Sequence, residues 1–135
     1  FIAFSSPDET PLIKTARFVN NNKVKWVINK IKASLIKSDL PKEEIVIGIF
    51  GISYKSNIDD LRESPALKIA LELQNQGYSI LVSEPNIKSH DLLKIKEMNE
   101  VLDQSFLSVF LVLHNEFLDL DLQDKNILDL CGVNK

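Results

Sequence analysis

The 135 residues are 44% hydrophobic and 26% charged, a balance that supports one globular domain hiding roughly two-thirds of its unfolded surface. A net charge of −3 gives no general argument for nucleic-acid binding. The single cysteine, Cys131, excludes an internal disulfide and a multi-cysteine zinc site, and no apolar run approaches the ~20 residues of a membrane span.

With no signal peptide in view, the expectation is a cytoplasmic chain that engages neither nucleic acid nor membrane. The start at Phe1, in the uneven "FIAFSSPDETP", reads as a piece cropped from a longer protein. Between Thr10 and Ser38 stand seven basic residues (Lys14, Arg17, Lys23, Lys25, Lys30, Lys32 and Lys37) and no acid. Val24, Val27, Ile28, Ile31 and Leu35 recur at helical spacing, which predicts an amphipathic helix with a cationic outer face. A preceding helical stretch, Leu12 to Asn20, sets Leu12, Ala16 and Val19 on one side. The basic face is either a solvated surface or one turned toward an anionic ligand or another subunit. Trp26 is expected at the boundary between helix and sheet.

"DLPKEE" breaks the helix, and "IVIGIFG", Ile45 to Gly51, is a short β-branched run suited to a strand buried on both faces. A charged loop follows, carrying Lys55, Asp59, Asp60, Arg62 and Glu63. Ser64-Pro65 then opens a second helix: Ser caps free amides, and Pro lacks the N–H that would be orphaned. Ala66, Ile69, Ala70 and Leu73 form its buried stripe, and Gly77 closes it. "YSILVSEP" predicts a second strand. Ser89 to Ser105 holds one or two short helical pieces, one of them around Glu97 to Gln104. "LSVFLVL" is a third strand, "HNEFLDL" a short helix or loop, and "NILDLCG" a fourth strand. This order describes an α/β fold, an open Rossmann-like parallel sheet flanked by helices and preceded by a long basic helical segment.

In such sheets ligands sit beyond the carboxyl ends of the strands, where the charged loop lies. The loop is not a dinucleotide fingerprint: Gly48 and Gly51 are too few glycines, and the helix begins more than ten residues after Gly51. Glu84, ending strand two, stands where a ribose-binding acid would. Lys55, Arg62 and the following helix start suit a diphosphate, Arg as a fork and Lys as a point charge. The same cations could instead pair with Asp59, Asp60 and Glu63 and hold the loop's shape; both readings stay open. Tyr54 could add a hydroxyl or a stacking face. Asp59-Asp60 lacks the His or third acid a metal site needs. His114 ends a strand, where a capping or structural role outweighs ligand contact, and His90 reads as a solvated loop residue.

The stretch "GISYKSNIDDLRESPALKIALEL" resembles the signature of the UDP-glucose/GDP-mannose dehydrogenase family. Gly51, Tyr54, Lys55, Asp60, Arg62, Ser64 and Pro65 match it in register over fifteen residues. "LIKTARFVNNNK" is similar to the end of that family's central helix, and "VSEPNI", "VFLVLHNEF" and "ILDLCG" to later strands. Within the family the chain most resembles the branch that acts on UDP-N-acetyl-D-mannosamine.

The resemblance implies a C6 alcohol of a nucleotide sugar oxidised to a uronic acid in two steps with two NAD, in bacterial surface-polysaccharide synthesis. It implies residues 1–38 as the end of a central helical, homodimer-forming segment with its connecting helix, and 39–135 as the UDP-sugar-binding Rossmann-like domain. Tyr54 and Lys55 would contact the substrate and Arg62 the NAD phosphates, with Asp59, Asp60 and Ser64 supporting the loop. NAD would bind mainly to a domain outside this chain. Alternatives are the same chemistry on UDP-glucose or UDP-N-acetylglucosamine, or a non-catalytic Rossmann-like regulatory module. The chain departs from the pattern in lacking the Gly-Gly-x-Cys segment of the family's nucleophile, so it is expected to bind and not to catalyse. Cys131 stands where relatives carry Lys or Arg, with Lys135 as a substitute cation, and Phe106 replaces an acid common before strand three.

Overall fold

The computed structural model describes residues 11–134. Helix α1 runs Pro11–Leu35 without interruption, so the two stretches separated in the sequence reading are one helix. No proline or glycine stands between Leu12 and Leu35 to break it. Its second half is amphipathic as the spacing predicts: Val27, Ile28, Ile31 and Leu35 are buried and Val24 packs against them. Its first half stands clear of the sheet, with Leu12, Phe18 and Val19 exposed. Trp26 corrects the sequence reading. It lies one position before the buried Val27, on the solvent side, 52% exposed, and carries the Lys30 ammonium 5.1 Å from its ring centroid.

A 3-10 turn at Lys42–Glu44 leads into strand β1, Val46–Phe50. Helix α2, Pro65–Asn75, begins as its sequence predicts: the Ser64 hydroxyl accepts the Leu67 N–H at 3.2 Å, and Pro65 takes the first helical position. It ends at Gly77 (φ 92°), whose N–H goes to the Gln74 carbonyl while the Tyr78 N–H reaches the Leu73 carbonyl. That paired closure requires a left-handed residue, which glycine adopts without a Cβ penalty. Strand β2 is Ser79–Ser83, helix α3 Met98–Gln104, strand β4 Leu107–Phe110 and strand β5 Ile127–Asp129. A 3-10 turn, Asn115–Asp119, occupies "HNEFLDL".

A fifth strand was missed. Strand β3, Lys94–Ile95, is two residues long and lies at the sheet edge. So short a polar-flanked pair has no periodicity to read. Strand β4 is also shorter than "LSVFLVL", because the Leu111 and Val112 amides converge on the one Phe50 carbonyl, ending the ladder.

The sheet is wholly parallel, in order β3-β2-β1-β4-β5. Both faces are covered, which explains the unbroken apolar runs of β1 and β4. On one face Ile47, Ile49, Leu107 and Val109 pack with α1 and α2; on the other, Phe50 and Phe110 pack with Val101, Leu102 and Phe117. Each fully buried aliphatic side chain there contributes about 1.5–3 kcal/mol; Ile49→Ala would cost about 2–5. Phe50 stacks on Phe110 at 4.3 Å, and Phe117 meets both edge-on. The chain runs outward from β1 to β2 and β3, then returns to β4 on the other side of β1. The direction reverses between β1 and β4, and the loops leaving their carboxyl ends meet at that switch point. No helix among the described residues is long and apolar enough to cross a membrane.

Candidate functional site

Three chain segments leave the carboxyl ends of the central strands and converge. Gly51 to Ser64 follows β1, Glu84 to Asn86 follows β2, and His114-Asn115 lies beyond β4. Gly51 makes the exit possible. Its φ is +83°, and a Cβ there would fall on the Val112 carbonyl and 2.7 Å from the Val112 Cβ.

Beneath the loop lies a fully buried polar group of Ser53, Glu84 and His114. The Glu84 carboxylate accepts the Ile52 N–H at 2.8 Å, the Ser53 N–H at 3.1 Å and the His114 Nε2–H at 3.0 Å. Burial pushes the Glu84 carboxyl up, but the bonds from His114, Ile52 and Ser53 outweigh it, and the net pKa is lowered. His114 Nδ1 accepts the Asn57 backbone N–H at 2.9 Å. A backbone amide only donates, so Nδ1 carries no proton and Nε2 carries the one given to Glu84. The Ser53 hydroxyl donates to the Lys55 carbonyl at 2.7 Å. Asn57, at φ 61°, exchanges hydrogen bonds with Asn115. Glu84 therefore does not offer its carboxylate to a ribose: loop amides and an imidazole fill the position. His114 is structural and His90 partly exposed at the far edge of the sheet, its Nδ1 accepting the Leu92 N–H.

The outer loop closes on itself where the Tyr54 N–H donates to the Asp60 carbonyl at 2.7 Å. Arg62 forks onto Asp60, Nε to Oδ1 at 3.0 Å and Nη2 to Oδ2 at 2.9 Å. That fork is the main reason the Asp60 carboxyl is lowered to about 2. The Arg62 side chain is 89% exposed, so the pair shapes the loop more than it stabilises the fold. Asp59 is exposed. Ser64 is buried and donates its hydroxyl to the Ile52 carbonyl at 2.6 Å, tying the loop's two ends together. The start of α2 offers an anion little: Pro65 has no N–H, and those of Leu67 and Lys68 are taken by Ser64. The exposed cations around it are Lys55, Arg62 and Lys68.

Tyr54 and Lys55 are exposed at the loop tip, the ammonium 5.8 Å from the Tyr54 ring centroid. They line a cleft of about 540 Å³ whose opposite wall is α1, with Arg17, Asn20, Asn21 and Val24; Glu63, Pro65 and Lys68 complete it. Three cations thus face one carboxylate, and that carboxylate, Glu63, lies 3.8 Å from Lys68. Arg62 does not line this cleft. Sequence reasoning grouped neither Arg17 of α1 nor Lys68 of α2 with Lys55; the basic face of α1 was a signal for Arg17 alone. Among the described residues no group of three His, Cys, Asp or Glu is disposed to hold a metal.

The geometry and the motif meet in a single comparison: the model for the UDP binding domain of the UDP-glucose/GDP-mannose dehydrogenase family matches residues 48–133. The chain belongs to the UDP-glucose/GDP-mannose dehydrogenase family. It is 42% identical over 147 residues to the UDP-N-acetyl-D-mannosamine dehydrogenase of Escherichia coli K12, covering 98% of this chain and 35% of that protein. The Campylobacter jejuni enzyme of the same name is 39% identical over 139 residues, covering 97% and 33%. A solved structure of the UDP-N-acetyl-mannosamine dehydrogenase Cap5O from S. aureus superposes with a TM-score of 0.77 at 30% identity, over 100% of this chain and 32% of that one. The chain spans about a third of the length of the curated relatives it matches.

At the end of the family's domain, the Asp129 carboxylate collects the N–H groups of Cys131, Gly132, Val133 and Asn134. Burial, then the Asp129 charge, pushes the Cys131 thiol up to about 11. It is a neutral thiol at physiological pH, unsuited to nucleophilic attack. Lys135 and the opening segment before Pro11 lie outside the described residues.

Proposed function

We propose that this chain is the nucleotide-sugar-binding part of an NAD-dependent 6-dehydrogenase of UDP-N-acetyl-D-mannosamine, a cytoplasmic enzyme of polysaccharide synthesis. The observation that carries the proposal is the cationic cleft of Arg17, Lys55 and Lys68 at the mouth of the sheet, built on the family's own loop signature. A diphosphate needs such charges on a rigid frame, and the cleft provides them at a loop whose backbone is fixed from beneath. Lys55 and Arg17 take the two phosphates, and Tyr54 meets the nucleoside or sugar beside them.

This chain's own sheet does not fit a dinucleotide. The Glu84 carboxylate is buried and held by Ile52, Ser53 and His114, and the three-glycine turn is missing. NAD, which accepts hydride in this chemistry, therefore binds mainly to a part of the enzyme outside residues 1–135. We assign Arg62, exposed beyond the cleft, to the cofactor's phosphates, with Asp59, Asp60 and Ser64 holding the loop. Catalysis belongs to that other part as well, and the standing first half of α1 to a dimer-forming central segment. Residues 39–135 then form the UDP-sugar domain, with the second half of α1 as its cover.

Titration of the 135-residue chain with UDP, followed by NMR or calorimetry, tests the site. Millimolar or tighter binding is expected, weakened most in Lys55→Ala, to an affinity still within reach of titration, and less in Arg17→Ala. Absence of any heat or shift on addition of UDP to the wild-type chain would count against the cleft as the nucleotide site.

A further inference from the structure

We infer that the buried Glu84–His114 pair is a positioning device for the Tyr54–Lys55 tip, working through one imidazole tautomer. The inference rests on the reading of that tip as the nucleotide-binding element. Its hydrogen bonds fall on the tip's two shoulders. Glu84 takes the amides of Ile52 and Ser53 on the entering side. His114 takes the amide of Asn57 on the leaving side. The Ser53 hydroxyl, 3.2 Å from His114 Nε2, reaches past Tyr54 to the Lys55 carbonyl. Asn86 supports the ring from β2's side, its side-chain amide 3.3 Å from Nδ1. The side chains of Tyr54 and Lys55 meanwhile stay exposed.

A merely space-filling core would not be built this way. Apolar residues of similar volume fill such a position at equal or lower cost than a buried acid–imidazole pair. Here the charge is used on backbone amides of the loop, which an apolar substitute could not hold. The ring also has a direction. Turned over, it would set a ring C–H, and protonated at Nδ1 a donor, against the Asn57 N–H, and loosen the leaving shoulder. Lys55 would then lose one of the bonds that fix its leaving side, and a point charge that wanders loses its grip on phosphate.

Two substitutions separate the ring's two bonds. His114→Gln places an amide near Nε2 and keeps the donor to Glu84, but gives Asn57 no acceptor. Glu84→Gln keeps the ring and weakens the entering shoulder, and serves if the first variant fails to fold. UDP affinity should fall about tenfold in either, the scale of one buried amide left unpaired. In a double-mutant cycle with Lys55→Ala, the His114→Gln loss should vanish, because it acts through Lys55. Long-range ¹H–¹⁵N spectra of the wild-type ring should show Nε2 protonated and Nδ1 bare. Amide exchange at Tyr54 and Lys55 should quicken in His114→Gln.

Unchanged UDP affinity in both variants, losses additive with Lys55→Ala, or an Nδ1-protonated ring would each overturn the inference. If the wild-type chain binds no UDP, the nucleotide reading fails separately. The ring spectrum and amide exchange still decide whether the pair positions the tip: quickened exchange supports it, and unchanged exchange overturns it.

Discussion

Replacing Gly51 by alanine probes the turn on which the whole site is hung. At φ +83° an L-residue bears a penalty of about 1–2 kcal/mol. The new methyl would press on the Val112 carbonyl and stand 2.7 Å from its Cβ and 3.0 Å from its Cα. No rotamer change relieves a clash with backbone, so overpacking adds about 1–3 kcal/mol. Alanine stiffens the unfolded chain and returns about 0.4–1 kcal/mol. The net loss is about 1–4.5 kcal/mol. For 135 residues the unfolding entropy is about 0.28 kcal/mol/K, so the thermal midpoint should drop by about 4–16 °C. Gly132 is the internal control, since it shares the strain (φ +87°) but a Cβ there meets nothing within 4 Å. Far-UV circular dichroism melts of both variants give the comparison. A Gly51→Ala midpoint no lower than that of Gly132→Ala would refute the close-approach argument.

Two further outcomes follow from buried partners. Ser64→Ala removes the cap on α2 and leaves the Ile52 carbonyl without its hydroxyl; urea unfolding should show a loss of about 1–3 kcal/mol. Acid should weaken the fold in a defined window. The Glu84 and Asp129 pKa values are lowered on folding, so their contributions are whole above the unfolded carboxyl values near ~4 and fade as pH falls through the folded ones. Urea midpoints should decline as pH falls below about 5, and the gap between wild type and Glu84→Gln should narrow on the way down. A constant gap would mean that the ionised carboxylate is not what holds Ile52 and Ser53.

The sequence by itself determined the α/β class, the parallel sheet and the start of α2 at Ser64, since each depends on local chemistry: β-branched runs, 3.6-residue spacing and a capping hydroxyl followed by proline. It also determined the family, because the loop signature is a fixed spacing of residue types. It could not show β3, whose two residues leave no period, nor the outward side of Trp26, which the turn of the helix relative to the sheet decides. The destination of Glu84 was likewise a tertiary matter. An acid at the end of β2 looks the same in sequence whether it meets a ribose or a loop. Only the arrival of His114 from β4, thirty residues later, turned it inward. The placement of Arg17 and Lys55 along one cleft has the same origin: charges distant in the sequence line one surface only when packing brings their helix and loop face to face.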